Sequence, residues 1–572
     1  MPCPYTLGYN VVPHLNGNRY ITCSKICVNN SNRRVHRSDT SLIFISYQFS
    51  KLEDNLESKL NTQVPVDYQP EIFKMTTPLS CRNYIDGQWL SAMGEATLER
   101  CNPANKTEVV ATFPRSQAND VDLAVAAARK AYQSWRKVPA PARAEYIFRV
   151  GEILLQHKEE LAQLISREMG KPLTEARGDV QEGIDCAFYT AGEGRRLFGQ
   201  TTPSEMPNKF AMTVRMPIGV CALITPWNFP VAIPCWKAMP ALVCGNTVIL
   251  KPAEDTSGCA TKLIEVFQQA GLPPGVINLV HGVGEEAGKA LVEHSNVDLV
   301  SFTGSSETGA FVGATCGRTH KRVCLEMGGK NAQVVMEDAD LELALDGAVW
   351  GAFGTTGQRC TATSRLILHR DIKEKFTAMF YERTSKLRLG AGTDSDTDIG
   401  PIVNEKQLQQ VSKYLDIARE EGAKVLIGGK IASEGSLKNG YFFQPTILDD
   451  VTRDMRVARE EIFGPVVVLI EVSSFEEAIA ILNDSNYGLS SSVYTRDINR
   501  AFTAMRDIEA GITYINGPTI GAEVHLPFGG VKQTGNGHRE AGTTALDVFT
   551  EWKSVYVDFS GSLQRAQIDN RS

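Results

Sequence analysis

Between residues 119 and 135 apolar side chains recur every three or four positions, at Val121, Ala124, Val125, Ala128, Ala131, Tyr132 and Trp135. That spacing gathers them on one face of a helix, with Asn119 or Asp120 standing where an N-cap would be. Further along, short apolar runs at 247–250, 276–280 and 297–302 read as buried strands. The segments between them, 261–269 and 285–293, read as helices. Strand and helix alternating across short Gly/Pro turns predict βαβ units and a parallel, doubly wound sheet of the α/β class. A second alternating series begins after Gly328, with a helix over 341–353, and 548–557 reads as an extended strand near the end. No internal repeat with a period of about 20–50 residues is superimposed on this order.

At 572 residues the chain exceeds what one core holds, so two or three domains are expected. A net charge of −7 gives no basic excess with which to hold nucleic acid or an anionic membrane. No apolar run approaches the ~20 residues of a membrane span. The thirteen cysteines include no CxxC pair, and Cys221, Cys235, Cys244, Cys316 and Cys324 sit in apolar surroundings. That usage suits buried free thiols in a reducing compartment, with neither a disulfide framework nor a metal centre.

Residues 1–74 have a different composition. The first 38 lack Asp and Glu but carry Arg19, Lys25, Arg33, Arg34 and Arg37. An acid-poor, basic, hydroxyl-bearing start is the pattern of a transit peptide, which would direct the protein to the mitochondrial matrix. The other reading is a disordered or spurious extension on a cytoplasmic protein, with Met75 as the true start.

Two segments carry candidate chemistry. Cys360 lies in Gly-Gln-Arg-Cys-Thr (357–361), after glycines that allow close backbone approach and place the thiol on an exposed turn. Glu326 lies 34 residues earlier in Leu-Glu-Met-Gly-Gly (325–329). A thiol and a carboxylate in such settings suit covalent catalysis, in which the thiolate attacks an electrophilic carbon and the carboxylate activates water. Taken alone, Cys360 reads as a small core residue and Glu326 as a strand-end acid held by backbone. Cys324 reads as core packing.

Cys360 and Glu326 stand among Thr-Pro-Trp-Asn-Phe-Pro (225–230), Lys-Pro-Ala-Glu (251–254), Phe-Thr-Gly-Ser (302–305), Glu-Ile-Phe-Gly-Pro-Val (461–466) and Pro-Phe-Gly-Gly (527–530). In this order the chain resembles the NAD(P)-dependent aldehyde dehydrogenase family from about residue 83 to about 557. The resemblance implies a cofactor domain over 81–195 and 217–328, a catalytic domain over 329–540, and an oligomerisation arm of 196–216 and 541–557. The arm would make a homodimer or homotetramer. Cys360 is then the nucleophile, Glu326 the base that releases the product, and Asn228 an oxyanion donor.

For NAD, with NADP also admissible, the resemblance assigns Thr225, Trp227, Lys251, Glu254, Gly284, Phe302, Gly304, Ser305, Glu461 and Phe463. Glu254 near the ribose would repel a 2′-phosphate and so favours NAD. Gly282 to Gly288 is one residue too long for a G-x-G-x-x-G fingerprint, in keeping with that family's departure from the usual dinucleotide mode. No catalytic histidine is implied, which leaves His538 structural. Ile233, Trp236, Arg359, Thr361 and 521–526 fall near the substrate entrance. The flanks of Cys360 and the Gly-Ala-Glu-Val-His-Leu-Pro-Phe segment are similar to those of members that oxidise carboxylated semialdehydes such as 2-oxoglutarate semialdehyde. An acylating relative that uses coenzyme A would lack Glu326, and a silent structural protein on the same scaffold has no need of Cys360, Glu326, Asn228 and Lys251 together.

Overall fold

The computed structural model describes residues 77–568; both readings of 1–74 concern residues outside that range. Two seven-stranded sheets organise the described chain. In the first, the order is Arg322–Glu326, Leu299–Thr303, Val220–Ile224, Thr247–Lys251, Ile277–Leu279, Asn83–Ile85 and Gln88–Leu90. Its first five strands are parallel, and the last two add an antiparallel hairpin at the edge. The alternation predicted for 247–302 is therefore present, and the chain is α/β.

Period-two alternation explains why both faces of this sheet are covered. Along Thr247–Lys251, Val248 and Leu250 pack with Leu263, Ile264 and Phe267 of the helix Ser257–Gln269. Ile249, between them, points to the opposite layer with Val121, Ala124 and Val125 of the helix Ala118–Trp135.

The second sheet runs Lys424–Ile427, Thr446–Asp449, Val466–Val472, Thr363–His369, Asn331–Val335, Ser490–Tyr494 and Ile512–Ile515. It is parallel except at Lys424–Ile427. A third sheet joins the C-terminal strand Thr550–Asp558 to Lys209–Pro217 and Gln200–Pro203, all antiparallel. Trp552, Tyr556 and Val557 on that strand are exposed.

Several boundaries differ from the sequence reading: the last strand starts at Thr550, after a short helix Ala545–Val548, and three helix starts are shifted. The first long helix starts at Ala118 with Gln117 as its cap, and Asp120 lies inside the first turn. From there the Asp120 carboxylate accepts from the N–H groups of Gln117 (3.0 Å) and Met93 (2.9 Å), which precede the helix. The helix expected at 261–269 begins earlier, at Ser257. Its first turn is held by the fully buried carboxylate of Glu168, which accepts from Gly258 N and Cys259 N, each at 2.7 Å. The helix expected at 285–293 opens as a wide π turn, Gly284–Gly288, before Lys289–Glu293.

Cys221, Cys235, Cys244, Cys316 and Cys324 are all buried and free. No helix among the described residues is long and apolar enough to cross a membrane.

Candidate active site

The helix Leu341–Phe353 delivers the chain to a turn with unusual backbone. Thr355, Thr356 and Gly357 follow one another with φ of 53°, 59° and 67°. Left-handed φ at two β-branched residues costs on the order of 1–3 kcal/mol each and persists only where neighbours impose it. Here the Glu175 carboxylate accepts from Thr355 N (3.0 Å) and Thr355 Oγ1 (2.6 Å), while Thr356 Oγ1 donates to Gly400 O at 3.0 Å. Gly357 is required sterically, because a Cβ there would lie 2.2 Å from Gly464 O.

The next residues are equally fixed. Gln358 accepts from Val403 N at 2.9 Å, and Asn331 Nδ2 donates to Cys360 O at 2.8 Å. The turn is thus interior, and Cys360 is half-buried against a cavity instead of standing on an exposed turn. The glycines that suggested exposure admit neighbouring backbone.

The cavity measures about 340 Å³ and lies between Cys360 and Glu326, with Phe229, Ile233, Trp236, Trp350 and Phe528 on its walls. Burial, followed by the carboxylates of Glu461 and Glu326, pushes the Cys360 thiol up to about 12. Asn228 is buried, and its Nδ2 donates to Gln358 O (3.1 Å), which fixes it against the cysteine turn.

Glu326 ends its strand and is 3% exposed, with Oε1 unpartnered. Burial and then the charge of Glu540 hold its carboxyl well above the usual carboxylate range, partly offset by Lys237 and Arg539. Lys237 is itself bonded to Glu540 and, at 2.8 Å, to Ser301 Oγ. The sequence reading missed Lys237 and Glu540. The signal was available, since Lys237 is the one charge in the otherwise apolar helix Ala232–Val243. His538 is not on the cavity wall; burial lowers its pKa.

Most of the remaining candidates follow the carboxyl ends of adjacent parallel strands, where open α/β sheets bind nucleotides; Glu461 and Phe463 instead precede the strand Val466–Val472 of the second sheet. Thr225 follows Val220–Ile224, and its N–H donates to Lys251 O at 3.2 Å. Lys251 ends Thr247–Lys251 with its ammonium buried and 3.6 Å from Glu254. Burial lowers the Lys251 pKa, and Glu254 counters it. Ser305 caps the helix Ser306–Arg318, accepting from Thr308 N. Gly284 opens the π turn with nothing within 4 Å of its Cβ position.

Trp227 and Phe463 meet edge to face at 5.5 Å, and the Glu461 carboxylate, pushed up to about 7 by burial, accepts from Gly329 N at 2.9 Å. A Cβ on Gly328 would fall 2.1 Å from Glu461 Oε2. Phe302 differs from the others. Its ring is buried in the core beside Val312 and Leu325, under Gly304, so it shapes the bend and does not face the edge. Thr225 Oγ1 and Thr303 Oγ1 are buried with no hydrogen-bond partner among the described residues, an arrangement that a polar ligand on this edge would satisfy.

A half-buried thiol facing a carboxylate across a cavity, beside a nucleotide-type sheet edge, is an arrangement that suits an oxidoreductase. The chain belongs to the aldehyde dehydrogenase family, whose profile matches residues 89–555. It is 44% identical over 475 residues to the alpha-ketoglutaric semialdehyde dehydrogenase of Bacillus subtilis, covering 83% of this chain and 97% of that one. To the 2,5-dioxopentanoate dehydrogenase of Saccharolobus solfataricus it is 41% identical over 472 residues, 82% of this chain and 98% of the other. Among solved structures, betaine aldehyde dehydrogenase from Staphylococcus aureus in complex with NAD+ superposes with a TM-score of 0.83 at 36% identity, covering 85% of this chain and 96% of that one.

Proposed function

We propose that the protein oxidises the aldehyde group of a carboxylated semialdehyde, of the 2-oxoglutarate semialdehyde kind, to a carboxylate. The observation that carries the reading is the shared cavity of Cys360 and Glu326, with the guanidinium of Arg359 on its wall. The names of the relatives from Bacillus and Saccharolobus point to the same substrate class.

Cys360 gives up its proton to solvent in the cavity, and the thiolate attacks the aldehyde carbon. Asn228 Nδ2 and the Cys360 N–H stabilise the resulting oxyanion; one such donor is worth about 2.7–4 kcal/mol. NAD, when bound along the sheet edge by Thr225, Trp227, Lys251, Glu254, Gly284, Gly304, Ser305, Glu461 and Phe463, supplies the hydride acceptor. Glu254 beside Lys251 favours NAD over NADP, because its carboxylate would repel a 2′-phosphate. Cys360 then holds the acyl group as a thioester. Glu326 takes a proton from water, whose oxygen attacks the thioester carbon and frees the thiol. Lys237 beside Glu326 favours the ionised carboxylate that acts as the base. A general base in this position favours hydrolysis over transfer to coenzyme A, and the set of Cys360, Glu326 and Asn228 favours an enzyme over a silent scaffold.

Residues 81–195 with 217–328 are assigned to the cofactor domain and 329–540 to the catalytic domain. Residues 196–216 with 541–557 form an arm through which a homodimer or homotetramer is built. The exposed Trp552 and Tyr556 support that use of the arm. Buried free thiols favour a reducing compartment, the cytoplasm, or the mitochondrial matrix under the transit-peptide reading. The test is kcat/KM over aliphatic, aromatic and carboxylated aldehydes with each cofactor. Carboxylated aldehydes should lead, and an equal rate with their neutral analogues would refute the substrate class.

A further inference from the structure

Four acids on the cavity wall besides Glu326 are Glu175, Asp179, Glu182 and Glu540. Three of them are matched, Glu175 by Arg359, Asp179 by Lys171 and Glu540 by Lys237. Glu182, on the helix Leu173–Glu193, has no hydrogen-bond or ion-pair partner among the described residues. The guanidinium of Arg359 lies between the rings of Trp350 (4.9 Å) and Phe229 (5.4 Å) and is tied to Glu175, so it presents a fixed cation to the same space.

Glu182 is half-buried on the wall of a cavity that also holds a fixed cation and aromatic rings, a place where a ligand can replace the water on its carboxyl. Ionised, it would repel an anionic tail resting on Arg359. As a neutral acid it can donate a hydrogen bond to that tail. We infer that Glu182 is a specificity-determining residue, its protonated carboxyl donating a hydrogen bond to an oxygen of the carboxylate that the substrate lays against Arg359, resting on the reading of the substrate as a carboxylated semialdehyde.

The surroundings of Glu182 favour the neutral acid. Burial, then the charge of Asp179, pushes its carboxyl up to about 8 against the opposing pull of Lys171 and Arg359, with Asp185 adding to the rise. The other titratable groups that feel it are Cys186 on its own helix, Cys235 on Ala232–Val243 and Tyr514 on Ile512–Ile515. A pairing of Glu182 with a cationic tail would show the opposite pH trend, since its ionised form would then be the one that binds.

The test is a ratio of Michaelis constants, that for the semialdehyde 5-oxopentanoate divided by that for pentanal, between pH 6.5 and 9.5 with saturating NAD. Pentanal has the same length and no carboxylate, so it carries the pH dependence that Cys360 and Glu326 impose on any aldehyde. In the native protein the ratio should be well below one near pH 7 and rise above pH 8, approaching about tenfold per pH unit. In Glu182→Gln, whose amide donates at every pH, the ratio should stay flat. A flat or falling ratio in the native protein would overturn the assignment, and that arm decides even if the variant fails to fold. So would an equal rise in the Gln variant. A preference for 5-oxopentanoate without the pH trend sinks the role of Glu182 alone, whereas no preference at any pH sinks the substrate reading and this role with it.

Discussion

The carboxylate of Glu175 holds Thr355 by both its backbone N–H (3.0 Å) and its hydroxyl (2.6 Å), five residues before Cys360, the proposed nucleophile. The same carboxylate bonds Arg359, so one side chain from the helix Leu173–Glu193 secures a left-handed turn and the flank of the cysteine.

Glu175→Ala should therefore damage both stability and rate. Arg359 and two donors of Thr355 would lose their acceptor, and breaking such a buried pair costs about 3–5 kcal/mol. Thermal melting should fall by several degrees and kcat by at least about tenfold, the equivalent of a 1.4 kcal/mol misplacement. Gln at this position should restore part of the melting temperature. Unchanged kcat in the Ala variant would show that the turn is held by other contacts.

Cys360→Ala should abolish oxidation and leave NAD binding intact, because the thiol faces the cavity and contributes little packing. Stopped-flow absorbance would detect any residual NADH, and NAD-induced thermal stabilisation would report binding. Comparable turnover in the variant would displace Cys360 as nucleophile.

Glu326→Gln should separate the two halves of the reaction. A stoichiometric burst of NADH should survive, followed by slow steady turnover and accumulation of acylated protein visible by mass spectrometry. Loss of the burst would move Glu326 into thiol activation.

The thiol of Cys360, pushed up to about 12, should alkylate slowly in the protein without cofactor. Below the pKa its thiolate fraction grows about tenfold per pH unit, so the rate with iodoacetamide should climb steadily from pH 7 to 9. A plateau beginning below pH 8 would mean that the thiolate is stabilised by a group other than those facing it in this structure.

Lys330 supplies a stability test. Its ammonium is buried with no hydrogen-bond partner among the described residues, and burial, with Arg365 next, lowers its pKa from 10.5 to about 7. Between about pH 7 and 10.5 the unfolded chain holds a proton that the folded chain lacks, so this group makes stability rise with pH across that window. Lys330→Met should flatten the rise in melting temperature between pH 7 and 9. An identical slope in both proteins would show that Lys330 keeps its proton by pairing in solution.

The helix ending at Trp135, the strand at Thr247–Lys251 and the helix ending at Phe353 were legible because a periodic apolar pattern is local and their burial follows from it. The start of Ser257–Gln269 was not, because its first turn is completed by Glu168, about ninety positions away in the chain. The burial of the Phe302 ring was not legible for a related reason. Its motif lies at the sheet edge, but the bend at Gly304 turns the ring into the core.

The sequence by itself determined the order of strands and helices and the residue types present for chemistry, since these depend on side chains within a few positions of one another. Only the tertiary structure decided that Cys360 lies half-buried and not on an exposed turn, that Lys237 and Glu540 stand beside Glu326, and that Glu182 is left unmatched in the cavity. Each of these depends on which distant charges meet once water is excluded. Desolvation and pairing are properties of the packed molecule, and no stretch of sequence fixes them alone.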